Sequence, residues 1–436
     1  MSSRKLLAAL LALLSFVIFQ SHAQTANREY ASLTPLHFKS GAATVTAANE
    51  AADQDETPAY VSVRDNGTQA SIQLRYDNDV SANTTTFVKI GNPQLESGYD
   101  VEASILTPLL GILIAAEAYN GATLVNNSNV QVELITDVSD NWFLAVTSAV
   151  KYDAVRVYLK YISKVGPYNT GTGYSMSVFY AFHLKAVNDD CGGVWATNAG
   201  IGKINGSQFS ETIKDRNNAV DNSTNTSATL QTISGETTVS QTIYFNSESN
   251  HKDEQVKILF SIPSTVLADV IFDKITFQVF NGGVAAGASY TLRSRMTGDR
   301  MGQCSGNRQV VIGIPSGNKF DRIRISATET KINIYQVVRV AKSPELVSAA
   351  GKICEDGSFS FKLKNDPRVS FSWYDKNKAK IPGTESLQQY SVSDLEPGLH
   401  TFYVSATQIG CTEATPLVPA TLIVYPKPGP PSVQLQ

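Results

Sequence analysis

"NNAVDNSTNTSATLQTISGETTVSQTIYF", residues 217–245, decides the reading of this chain, because "NEAADQDETPAYVSVRDNGTQASIQLRY" at residues 49–76 is an earlier version of the same phrase. Asn49 matches Asn217, Ala51 matches Ala219, Asp53 matches Asp221 and Gly67 matches Gly235, each pair 168 positions apart by subtraction. The same offset separates "YDAVRVYL" (152–159) from "FDRIRISA" (320–327), and chance does not hold a register over that length. "AYNG", ending at Gly121, matches "VFNG", ending at Gly282, at a shorter offset. "MSVFYAFHLKAV" (176–187) and "TKINIYQVVRVA" (330–341) close the two copies. Offsets shift where loops are inserted, as with "SKVGPYNTGTGY" (163–174), found in the first copy alone. Two related modules therefore occupy residues 24–187 and 188–344.

Within each copy the local signal is β. "VSQTIYF", "KITFQVF", "DRIRISA" and "INIYQVVRV" alternate apolar with polar positions and are rich in β-branched and aromatic residues, the period-2 pattern of half-buried strands. Gly, Asn, Asp and Ser clusters punctuate them at hairpin spacing. The apolar run at 104–121 reads as helix or buried strand; its counterpart at 261–282 favours a short helical turn, capped by Ser264, before a strand that starts at Ile275. Residues 345–425 differ: several short strands, a central Trp373, a Pro-Gly turn at 397–398 and a cysteine pair fit a small immunoglobulin-like sandwich. Residues 426–436 are proline-rich and read as an extended linker. The predicted fold class is all-β: two tandem jelly-roll-like β-sandwiches followed by a small immunoglobulin-like β-sandwich.

Residues 1–23 have the form of a secretory signal peptide. Arg4 and Lys5 precede an apolar run from Leu6 to Phe19, and small residues end at Ala23. An uncleaved anchor is the competing reading, but the run is shorter than the roughly 20 residues of a spanning helix. No membrane span is expected after cleavage, and the mature protein is expected to be secreted or held at the cell surface. With 42% hydrophobic and 17% charged residues the chain can bury real cores. A net charge of −3 offers no basic field for nucleic acid.

Four cysteines in an exported chain predict two disulfides, and four cysteines allow three pairings. Order along the chain favours Cys191–Cys304 and Cys354–Cys411, which keeps each bond inside one module. No CxxC or Cys/His pair has zinc-ligand spacing.

The last module resembles the Ig-like repeats of secreted multidomain Bacteroidetes surface proteins, through Trp373-Tyr374-Asp375, Leu395 to Cys411 and Pro426 to Pro431. Cys411 follows the strand "TFYVSAT" instead of lying within it, unlike antibody-type domains. The repeated modules loosely resemble discoidin-like, galactose-binding jelly rolls through "NNAVDNSTNTSATL" and "FDRIRI". That resemblance implies a calcium-holding turn at Asp53 or Asp221, with Thr57 or Thr226 at the threonine position, and sugar-binding loops at one end of the barrel. Gln54 and Asn222 replace the glycine of that motif.

Chemistry-bearing motifs are sparse. No HExxH, GxSxG, P-loop or Rossmann fingerprint occurs, and the acidic residues sit mostly in turns, so the chain reads as non-enzymatic. Candidate ligand-binding residues are Tyr168 and Tyr174 in the insertion and Trp142 in "SDNWF", the last with core packing beside Phe143 as its rival reading. Asp53, Asp55 and Glu56 are the candidate ligands of a weakly bound structural Ca2+; Asp221 is expected to organise an Asx-turn without metal. No other cofactor is expected. These observations predict an exported binding or adhesion protein whose modules serve as spacers and platforms, with glycans or other extracellular macromolecules as partners. The alternative is an ancillary binding region of a secreted polysaccharide-degrading enzyme.

Overall fold

A computed structural model describes residues 28–52, 56–64, 67–91, 94–95, 112–161, 174–185, 191–198, 201–204, 208–232, 237–263, 270–296 and 307–427. The leader, most of the linker, Ser264 and Cys304 lie outside the described residues. Among those described, no helix is long and apolar enough to cross a membrane.

The first module begins with β1 (Arg28–Tyr30), β2 (Leu33–Ser40), β3 (Thr44–Thr46), β4 (Ala59–Val63), β5 (Gln69–Val80), β6 (Thr85–Ile90) and β7 (Gln94–Leu95). It continues with β8 (Ile112–Asn120), β9 (Thr123–Leu124), β10 (Val130–Asp137), β11 (Trp142–Ser148), β12 (Tyr152–Tyr161) and β13 (Tyr174–Leu184). The second module opens with β14 (Val194–Asn198), β15 (Ile201–Ile204), β16 (Gln208–Glu211), β17 (Ile213–Lys214), β18 (Ala228–Gln231) and β19 (Thr238–Phe245). Then come β20 (Gln255–Ser261), β21 (Ile275–Asn281), β22 (Val284–Ala285), β23 (Tyr290–Thr291), β24 (Val310–Pro315), β25 (Arg322–Thr328) and β26 (Lys331–Val340). The third contains β27 (Ala350–Cys354), β28 (Ser358–Lys362), β29 (Val369–Tyr374), β30 (Gln389–Ser393), β31 (Gly398–Gln408) and β32 (Val418–Tyr425).

Each large module is a sandwich of two antiparallel sheets. In the first, the front sheet runs β10-β11-β6-β13-β4-β3 and the back sheet β2-β5-β12-β8-β9. In the second, β24-β20-β26-β18-β17 forms the front and β14-β19-β25-β21-β22 the back, so the two orders correspond strand for strand apart from the added β10. Alternation places Ile72, Leu74, Val155, Val157, Leu144 and Val178 in the first core, and Ile243, Ile323, Ile325, Ile258 and Ile334 in the second. Each such burial contributes about 1.5–3 kcal/mol. The apolar run at 104–121 is a strand over Ile112–Asn120, and a four-residue helix, Ile271–Lys274, precedes β21.

The copies also share a local device. Arg156 of β12 stacks on Tyr119 of β8 at 4.2 Å, and Arg324 of β25 stacks on Phe280 of β21 at 4.9 Å. In both, the aspartate that opens the arginine-bearing segment accepts from the glycine of the neighbouring hairpin: Gly121 N–H to Asp153 at 3.0 Å and Gly282 N–H to Asp321 at 3.1 Å. Both glycines have left-handed φ, 59° and 56°, which a residue with a Cβ adopts only at a cost.

Sheet continuity joins the modules. β14 pairs with β19 on one side and, on the other, with β10, setting Ile135 opposite Asn198 and Asp137 opposite Ala196. The front sheet of module 1 thereby becomes the back sheet of module 2. On its outer face Phe87, Phe143, Tyr180 and Phe182 pack with Trp195 and Tyr244. Trp195 meets Phe87 edge-on at 4.8 Å.

The third module is an immunoglobulin-like sandwich of β27-β32-β31-β29 against β28-β30, filled by Trp373, Phe361, Phe371, Val404 and Leu422. The disulfide departs from the expected pairing. Cys191 is bonded to Cys411, with Cα atoms 5.4 Å apart, and Cys354 is a free, exposed thiol. Sequence order favoured bonds within modules, but the third module folds back on the entry to β14, bringing the turn after β31 to Cys191. Lys257–Glu413 and Arg368–Asp253 ion pairs flank the same contact.

Candidate functional site

A concavity lies where module 2 leans on module 1. Gly282, at the tip of the β21–β22 hairpin, abuts Asn83 in the β5–β6 turn; a Cβ on Gly282 would stand 1.8 Å from the Asn83 carbonyl oxygen. On one side of this contact opens a cleft of about 530 Å³ lined by Ser81, Asn83, Thr84, Glu248, Asn281 and Asp321, with the buried Phe87, Tyr244 and Phe245 behind them. On the other side is a recess of about 260 Å³ holding Gln131, Glu133, Thr147, Arg322 and Arg324. Pockets at such junctions are the common location of ligand sites.

Charges in both openings are committed to the architecture. Arg322 is buried, donates to both Asp321 oxygens at 2.9 Å, and hydrogen-bonds Thr85 of module 1. Burial opposes its charge, but Asp321 and Tyr244 outweigh that and raise its pKa. Tyr244 donates to Glu133, and Thr242 to the same carboxylate at 3.3 Å. Burial, then the neighbouring Glu133 charge, push the Tyr244 hydroxyl well above its ordinary pKa, so it stays a donor. Glu248 accepts from Asn281 at 2.6 Å. This arrangement supplies fixed donors and acceptors for hydrogen bonding, and Glu133, Glu248 and Asp321 each accept hydrogen bonds from neighbouring side chains.

Of the residues singled out from sequence, Trp142, Tyr174 and Glu56 do not line these openings. Trp142 is 7% exposed and fills the first core, its indole covered by the Arg216 guanidinium at 5.2 Å. Phe143 points the opposite way, into the aromatic junction, because successive strand residues face opposite sides. Trp142 is therefore core packing, though not beside Phe143. Tyr174 is half-buried with its ring 5.6 Å from Tyr161, and Tyr168 lies outside the described residues. Asp53 and Asp55 also lie outside them, while Glu56 forms an ion pair with Lys89. No group of three or more His, Cys, Asp or Glu is placed to hold a metal among the described residues.

Asp221 does organise a turn. It accepts from the Ser223 N–H at 2.8 Å and the Thr226 hydroxyl at 2.7 Å, with Asn222 left-handed at φ 59°. Asp221→Ala is expected to destabilise module 2 by about 1 kcal/mol and Asp221→Asn by less, read by urea unfolding with and without calcium. A calcium-dependent shift abolished by Asp221→Ala would restore the metal-site reading.

The junction residues Glu133, Tyr244, Arg322 and Asn281 were not found by motif reading. For Arg322 the signal was a difference between copies, since module 1 has Ala154 there, whereas Asn281 matches Asn120 and gave no such signal.

No family model matches this sequence, and no curated protein matches it. Among solved structures, allantoicase from Saccharomyces cerevisiae is similar at 7% identity over 68% of this chain and 89% of that chain, with a TM-score of 0.20. Sidekick-1 immunoglobulin domains 1–4 share 7% identity over 91% and 98%, TM-score 0.16. The N-terminal four Ig domains of Dscam1 isoform 6.9 share 9% over 90% and 91%, TM-score 0.16. These values carry nothing about activity, and the architecture above rests on its own sheets.

Proposed function

We propose that this chain is an exported, non-enzymatic binding or adhesion protein in which two joined sandwiches and an Ig-like module form a rigid arm with a ligand cleft at its internal junction. The observation that carries the reading is the cleft of about 530 Å³, rimmed by amide, hydroxyl and carboxylate groups from both copies. Such a rim presents alternating donors and acceptors to a hydroxyl-rich ligand, and glycans are the ligand class it fits best. Export is supported by the leader sequence and by the Cys191–Cys411 bond, since disulfides persist in oxidising compartments.

A glycan array probed with the mature chain tests this, followed by titration of Asn281→Ala. Binding should weaken roughly tenfold in the variant with the melting temperature unchanged. Release of reducing sugar from any bound polysaccharide by the purified chain would refute the non-enzymatic reading. Binding indifferent to Asn281 would move the site elsewhere.

A further inference from the structure

We propose that the outer face of the back sheet of module 1 is a self-association surface, occupied by the same face of a second copy of this chain. The repeat supplies the first reason. In module 2 the equivalent face, carrying Thr242, Tyr244, Arg322 and Arg324, is the one that docks onto module 1, where it takes the Glu133 carboxylate. Its counterpart in module 1 carries Gln73, Arg156 and Tyr119, and beside them on β2 the exposed Leu36 (42%) and Phe38 (43%).

Arg156 is prepared for a partner. Its guanidinium lies between the Phe38 ring at 3.9 Å and the Tyr119 ring at 4.2 Å, and both Nε and Nη2 donate to Gln73 Oε1, at 3.2 and 2.8 Å. A guanidinium fixed in this way loses little further freedom on binding. Among the described residues no carboxylate is hydrogen-bonded to it, whereas the recess around Arg324 contains Glu133 of the neighbouring module.

The acid on this face points to a second copy. Glu117 on β8 stands directly opposite Arg156 in register, with one carboxylate oxygen accepting the Tyr119 hydroxyl at 2.8 Å. Module 2 has Gln278 at the equivalent place, opposite Arg324, so the acid belongs to the module 1 face alone. A surface bearing an arginine and a glutamate on neighbouring strands is self-complementary about a two-fold axis. Each Arg156 meets the partner's Glu117, and Leu36 and Phe38 pack between them.

Sedimentation velocity on the mature chain is the test. The wild type should dimerise, and Arg156→Glu and Glu117→Arg should each weaken the dimer at least about tenfold, while the double charge swap restores it. Phe38→Ala should weaken it without changing the melting temperature, which separates loss of the interface from loss of fold. A wild type that stays monomeric at about 100 µM overturns the proposal. So does a dimer untouched by the charge variants, or a monomer that uses this face to capture an acidic glycan.

Discussion

Replacing Cys191 or Cys411 by serine is expected to release the Ig-like module from the sandwich pair and to lower stability by as much as about 5 kcal/mol. The bond closes a loop with a sequence separation of 220, and in the chain-entropy model a loop of that size restricts the unfolded chain by about that amount. Ion pairs and the close approach of Pro416 to Gly313 remain at the contact. Arg368 donates to Asp253 at 3.1 and 2.8 Å and also to Asp366, and Lys257 pairs with Glu413. Arg368 is about a third exposed, so these bonds are partly screened. Its hydrogen bonds hold the Asp253 and Asp366 carboxyls below their ordinary range. Carboxylates with depressed pKa values stabilise the folded state above the ordinary carboxylate pKa and lose that contribution as pH falls through the depressed values. In the serine variant, whatever docking the ion pairs retain near neutral pH should therefore be lost in strong acid, while the disulfide keeps the module docked. Calorimetry should resolve a second transition in the variant, and small-angle scattering should report a broader particle. A single unchanged transition would show that the ion pairs suffice. Peptide mapping without reduction should recover Cys191 joined to Cys411; a fragment joining Cys354 to Cys411 would overturn the pairing.

Trp373→Ala should cost about 3–5 kcal/mol, enough to unfold the third module alone. The indole is completely buried, stacks on Tyr390 at 5.3 Å, lies 6.0 Å from Phe361 and donates from Nε1 to the Leu387 carbonyl at 3.0 Å. Removing it opens a cavity between the two sheets and leaves that carbonyl without its donor. No disulfide lies within this module to limit its unfolded ensemble. The variant should lose its near-ultraviolet circular dichroism from the third module while the sandwich pair melts as before. Unfolding of all three modules together would show that the junction makes them one cooperative unit.

Much of the architecture was legible because its signals are local. Strand alternation and the turn chemistry of Asp221 depend on residues within a few positions of one another, and the offset between Asp53 and Asp221 is read by comparing two such local phrases. Central Trp373 in its strand context marked the third core for the same reason. The site was far less legible. Motif reading selected Trp142 because it stands in a loop-like phrase, yet strand pairing turns it into the core and sends Phe143 to the junction.

By itself, then, the sequence determined the all-β class, the duplication, the Ig-like third module and the Asx-turn, since each is set by periodicity and short-range hydrogen bonding. Only the tertiary structure decided that β14 pairs with β10, that Asn83 and Gly282 meet to divide a cleft from a recess, and that Cys191 bonds Cys411 and leaves Cys354 free. The physical reason is the same in each case. These contacts join residues from 59 to 220 positions apart, from the Asp137–Ala196 pair to the disulfide, and depend on how finished sheets pack. Local pattern carries no record of that packing.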